Sequence, residues 1–267
     1  MKRRSLLTGI GAALAFSQIP VGAFGTAKAT AAGGIKAHLD LTMAETFREQ
    51  FLASEEHHSN YDVLGEDLDL SAYSSASVEA LECLAPLSGL AATIGFATIT
   101  PEIAKVLSQW KTYFLCFPRL QRLDYESANL LGGAEAAHGL YFDYPLHLCA
   151  TAAKAVVCNG APMYLTLNAT PDLSRAIALA AHEHEMFLTL PAQAISPLAA
   201  TALSFHAGYL LQLAMPYRPS DAVLQAISSN AHKQLSLTAP EAMNKVPSLG
   251  AVHKNWLITL RNARFSL

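Results

Sequence analysis

Cysteine is scarce. Four residues in 267 are too few to staple a disulfide-built scaffold, and none stands in a C-x-x-C or related zinc spacing. A basic surplus is missing as well: Lys and Arg number 18 against 21 Asp and Glu, a formal net charge of −3. Nucleic-acid binders carry a basic patch or stripe, so no nucleic-acid partner is expected. No stretch reaches the roughly 18 uninterrupted apolar residues that a membrane span needs, and none is expected. The G-x-S-x-G elbow, the P-loop, the Rossmann glycine pattern and the EF-hand loop are all absent, so no local motif marks a nucleophile, a nucleotide site or a calcium site, although a triad assembled from distant positions would leave no such mark. What the chain does have is apolar material, 52% of its residues, enough for a core and too much for disorder.

Its first residues read as an address. Met1 to Arg4 is basic, Ser5 to Phe16 is weakly apolar, and Ala27-Lys28-Ala29 has the small-x-small form of a cleavage site, which predicts a signal peptide over residues 1–29. Arg3-Arg4 followed by Ser5-Leu6-Leu7 resembles a twin-arginine export signal. A general secretory signal is the second reading and a retained anchor the third, because so short an apolar run cannot cross a hydrocarbon core of ~30 Å. Removing the segment takes away Lys2, Arg3, Arg4 and Lys28 and no acid, so the mature chain is expected to be acidic and periplasmic or secreted. Residues 30–65 are expected to form a linker and a capping helix. In that helix Thr42 and Glu45 make a capping-box pattern, and Met43, Phe47 and Phe51 share a face. Glu55-Glu56-His57-His58 is read as a solvated linker.

From residue 66 to 267 an apolar-x-apolar triplet recurs at Leu68/Leu70, Ala92/Ile94, Leu115/Phe117, Leu140/Phe142, Leu165/Leu167, Leu188/Leu190, Leu211/Leu213, Leu235/Leu237 and Ile258/Leu260. Alternation over so few residues predicts short strands with one buried face. After each of the first eight triplets comes a candidate helix cap: Ser77, Thr100, Asp124, Cys149, Asp172, Ser196, Ser220 and Ala242. Six of these can accept a hydrogen bond from the free N–H groups of a first turn. Four residues on stand Leu81, Ala104, Ala128, Ala153, Ala176, Ala200, Leu224 and Val246. Seven on stand Leu84, Leu107, Leu131, Val156, Leu179, Leu203, Ile227 and Leu249. All are apolar, at the spacing of one helix face. Each unit is therefore a strand, a turn, a short helix and a return loop, and it buries its apolar face only when stacked on its neighbours. A conventional array of βαβ units is the alternative, although its crossovers are usually longer.

Segments such as Leu165-Thr166-Leu167-Asn168 and Ser196-Pro197-Leu198-Ala199-Ala200-Thr201-Ala202-Leu203 resemble the strand and helix halves of bacterial leucine-rich repeats with 23- to 24-residue units. The resemblance covers residues 66–267 and rests on the whole phase pattern. It departs from the family's asparagine ladder, keeping only Asn168, with Ser71, Gly95, Pro118, Asp143, Pro191, Ala214 and Thr238 at the other turns. It implies an α/β leucine-rich-repeat solenoid, eight units plus a final strand, with a parallel concave sheet and helices on the convex side. A family role in binding proteins or glycans also follows, with no catalytic residues.

The outward strand positions then become the candidate binding surface. One row reads Asp69, Thr93, Cys116, Tyr141, Thr166, Thr189, Gln212, Ser236 and Thr259; the row before it reads Asp67, Ala91, Phe114, Gly139, Tyr164, Phe187, Leu210, Gln234 and Leu257. An apolar stripe rimmed by small polar groups suits a protein or glycan partner, against the alternative that these side chains only stack along the sheet. The expected site is Phe114, Tyr141, Tyr164, Thr166, Phe187, Thr189, Leu210 and Gln212, with no cofactor and no catalytic residue. The competing reading is a metal-dependent periplasmic hydrolase using His182, His184 and His206. His182-Glu183-His184-Glu185 lacks the four-residue histidine spacing of zinc proteases, and helix ends explain these histidines as well. The four cysteines are expected unpaired. Ile258 and Leu260 would leave an open strand edge near Trp256 and Phe265, for which an end-to-end homodimer is expected and a monomer shielded by Arg261 and Arg264 is the alternative.

Overall fold

The computed structural model describes residues 38–55, 68–87, 91–133, 139–230 and 234–238. The signal-peptide, Glu56-His57-His58 and Ile258/Leu260 expectations, with the dimer edge and the eighth cap at Ala242, lie outside the described residues. Nine strands are described: β1 Leu68–Leu70, β2 Ala91–Ile94, β3 Phe114–Phe117, β4 Arg122–Leu123, β5 Gly139–Leu148, β6 Met163–Leu167, β7 Met186–Thr189, β8 Leu210–Ala214 and β9 Gln234–Thr238. The helices described are α1 Leu41–Glu55, α2 Val78–Leu84, α3 Pro101–Leu107, α4 Tyr125–Gly132, α5 Ala150–Val156, α6 Leu173–Ala180, α7 Pro197–Ser204 and α8 Asp221–Asn230.

The protein is α/β. All strand pairs are parallel, and the sheet is open with the order β1-β2-β3-β5-β6-β7-β8-β9, while the short β4 pairs with the far end of β5 and, through Arg122, makes an isolated bridge to Thr98. Consecutive helices pack against one another in the same sequence as the strands. Strand residues alternate between buried and partly exposed, most cleanly along β6. One sheet face therefore meets the helices, and the other is left uncovered by any described helix.

The caps form as the sequence predicts. The side chains of Ser77, Thr100, Asp124, Asp172 and Ser196 accept from backbone N–H groups three residues on, and Ser220 Oγ accepts from Val223 at 3.3 Å. Cys149 holds the cap position without a side-chain cap bond. Ala104, Ala128, Ala153, Ala176 and Ala200 are completely buried, which lets neighbouring helices approach closely. Leu84, Leu107, Leu131, Val156, Leu179, Leu203 and Ile227 close the core below them.

Two expectations need correction. The first concerns α1, whose cap is Asp40 and not Thr42: its carboxylate accepts from the Met43 N–H at 2.9 Å. The helix thus starts earlier, and its packed face is Ala44, Phe47 and Phe51, while Met43 is 46% exposed. The second concerns register. Leu140 pairs with Met163, Met163 with Met186, and Met186 with Leu211, so the Leu165/Leu167 and Leu188/Leu190 triplets sit two residues too far along. A two-residue slip leaves every side chain on the same face, and Leu167 and Leu190 are buried too. Hydrophobicity alone therefore does not separate the two registers.

Candidate binding face

The corrected register regroups the outward row. Asp69, Thr93, Cys116, Tyr141, Tyr164, Phe187, Gln212 and Ser236 stand side by side across eight strands. Its centre is a ladder of three rings. Tyr141 and Tyr164 stack with centroids 4.5 Å apart, and Tyr164 and Phe187 at 4.3 Å with ring planes 2° from parallel. Tyr164 and Phe187 thus join Tyr141 and leave the row assigned to Phe114 and Leu210. Aromatic pairs at this spacing contribute about 0.5–1.5 kcal/mol each beyond the area they bury, so the ladder stiffens the face as well as furnishing it.

The remaining site residues take other places. Thr166 and Thr189 pair with each other in the next row. Gln212 continues the ladder beyond Phe187, and Leu210 lies two residues before it on β8. Phe114 is only 8% exposed. A side chain at Gly139 would meet its ring at 2.5 Å, so glycine there lets Phe114 lie flat on the neighbouring strand. That packing removes Phe114 from the accessible part of the site.

Two residues that the sequence reading left out belong to this face. Asp143 follows Tyr141 by two positions on β5, and Glu185 precedes Phe187 by two, just ahead of β7. Each carboxylate is without a hydrogen bond or ion pair among the described residues, and Glu185 is only 5% exposed. Loss of hydration raises both carboxyls above their ordinary range. The Tyr141 phenol is pushed up to about 12, first by desolvation and then by the Asp143 charge. Tyr164 is raised further, again by desolvation first and the Glu185 charge second. The ladder is flanked by acid. No lysine or arginine stands among the described residues of β1, β2, β3, β5, β6, β7, β8 and β9.

The histidines lie elsewhere, in the loops that follow the helices. His182 and His206 each stand ten residues past a cap, the position also held by Trp110 and Asn159, and all four are buried. One side-chain nitrogen of Asn159, His182 and His206 binds backbone, whereas Trp110 Nε1 is buried without a partner among the described residues. Asn159 Nδ2 donates to the Leu131 carbonyl at 3.5 Å, His182 Nδ1 to Val157 at 3.0 Å, and His206 Nε2 to His184 at 3.0 Å. Because a carbonyl only accepts, these bonds set the protonated nitrogen of each ring. The His182 ring lies 5.8 Å from that of His184 and 6.2 Å from that of His206, yet no group of three His, Cys, Asp or Glu among the described residues is arranged to hold a metal ion. Cys83, Cys116, Cys149 and Cys158 form no disulfide.

No protein-family model, curated protein or solved structure matches the chain.

Proposed function

We propose that this chain is an exported binding or scaffold module, built as a leucine-rich-repeat solenoid, that captures a protein or glycan partner on the uncovered face of its sheet. The observation that carries the reading is the aromatic ladder Tyr141–Tyr164–Phe187 on that face. The fold supports it. An all-parallel sheet is normally covered by helices on both sides, and stacked repeats are the architecture that leaves one side open as an extended recognition surface. Strand spacings of 23 to 25 residues and a cap at the start of each short helix agree with the repeat length. The Arg3-Arg4 signal supports export to the periplasm or beyond.

The test replaces Tyr164 and Phe187 together with Ser and measures capture of partners from envelope extract. Capture is expected to disappear while circular dichroism shows the fold intact, with about 1–3 kcal/mol lost as the two stacked pairs are removed. Unchanged capture by the folded variant would make the ladder purely structural.

A further inference from the structure

We propose that the ladder face recognises a basic peptide segment, an Arg- or Lys-bearing stretch of a partner protein whose cationic heads meet Glu185 and Asp143 while their aliphatic stems lie along the ring edges. The proposal rests on the reading of the ladder as a binding face and narrows it to one chemistry.

Three observations select that occupant. First, Glu185 and Asp143 have no hydrogen-bond or ion-pair partner among the described residues, and Glu185 is almost fully buried. Its carboxylate oxygens are not among the fully buried atoms that lack a partner, so a charge partly stripped of water still reaches the surface, where an incoming cation can pair with it. Second, the described strands of this face carry no Lys or Arg, so no basic side chain on those strands offsets the two acids and the face is complementary to a cation. A guanidinium suits the place best, because its planar fork can meet a carboxylate through two hydrogen bonds, and the stem of Arg or Lys is apolar enough to cover ring edges. Third, the central ring of the ladder is closed to stacking ligands. Both faces of Tyr164 are occupied by its neighbours at 4.3 and 4.5 Å, whereas a sugar needs a free aromatic face to lie on. The exposed rim offers ring edges, phenol oxygens and carboxylates, which favours a peptide cation over a glycan.

The experiment titrates the purified full chain with a labelled Arg-Gly repeat peptide, its Glu-Gly counterpart and a chito-oligosaccharide, following fluorescence anisotropy or calorimetric heat. The Arg-Gly peptide is expected to bind, more weakly as salt rises, and the Glu-Gly peptide not to bind. Glu185→Gln should weaken the Arg-Gly peptide roughly tenfold or more, and Asp143→Asn should weaken it less, since Asp143 is more exposed. The same Glu185→Gln change should leave the melting temperature equal or higher, because it removes a partly desolvated charge that no described residue pairs. A residue that served only the fold would instead lower the melting temperature. Failure of the Arg-Gly peptide to bind, equal binding of both peptides, or indifference to Glu185→Gln overturns the basic-peptide assignment. Should the oligosaccharide alone bind, and be lost on replacing Tyr164 and Phe187 with Ser, the face is a glycan site and only the narrower inference falls. Binding of any probe that ignores Tyr164 and Phe187 removes the broader reading as well.

Discussion

His182 shows what one buried residue contributes. Its Nδ1–H reaches across to the Val157 carbonyl, its Nε2 is buried without a partner among the described residues, and its pKa is lowered, mainly by desolvation and to a smaller degree by the neighbouring His184. In the unfolded chain the imidazole takes its proton near the ordinary 6.5, while the folded chain resists until lower pH. Between those two points the unfolded state binds more protons, so the stability present above pH 6.5 declines as pH falls through this window. Glu185, with its raised pKa, works in the opposite sense: its share is present below the ordinary carboxylate pKa and is lost as pH rises through the folded value. Asn159 fills the equivalent position with an amide that cannot titrate, which makes His182→Asn the informative change. Thermal melts from about pH 7 to about pH 5 should show the variant less stable at the upper end, having lost ring volume, yet clearly less sensitive to acid. An unaltered pH slope would show that His182 does not couple protonation to folding.

Within the helices, the decisive feature is the small residue four positions past the cap. Ala153 and Ala176 are completely buried, and α5 and α6, which carry them, pack on each other and on α4 and α7. Ala153→Leu and Ala176→Leu should each destabilise the protein by about 1–3 kcal/mol through overpacking, measurable by urea denaturation at unchanged slope. Neutral outcomes at both sites would mean that the helices can separate without cost. This column was legible in the sequence because caps and four- and seven-residue spacings are local: Ser77, Asp124 or Ser196 each finds its partner three residues away. The strand columns were less legible, since pairing joins residues more than twenty apart and a slip of two preserves both faces. One signal could have resolved it for β6. The distance from the paired strand column to the following cap stays between 8 and 10 residues in the observed register, from Leu68 and Ser77 to Leu211 and Ser220, whereas Leu165 would stand only seven residues before Asp172.

For the molecule as a whole, the proposed export is open to one experiment. Changing Arg3 and Arg4 together to Lys should retain the precursor in the cytoplasm, as seen by fractionation and immunoblotting, because the twin-arginine route reads that pair; normal export would assign the general secretory route instead. The amino-acid sequence by itself determined the α/β class, the cap of each described short helix from Ser77 to Ser220, the packed alanine column and the buried face of the strand triplets from Leu68/Leu70 to Leu211/Leu213. These follow from hydrogen bonds and periodicities confined to one element. Only the tertiary structure decided that Tyr141, Tyr164 and Phe187 form one ladder, that Phe114 lies against Gly139 and leaves the accessible site, and that Asp143 and Glu185 flank the rings without partners among the described residues. The physical reason is that strand register is settled by hydrogen bonds between strands distant in sequence, while side-chain alternation repeats every two residues and is blind to a shift of that size.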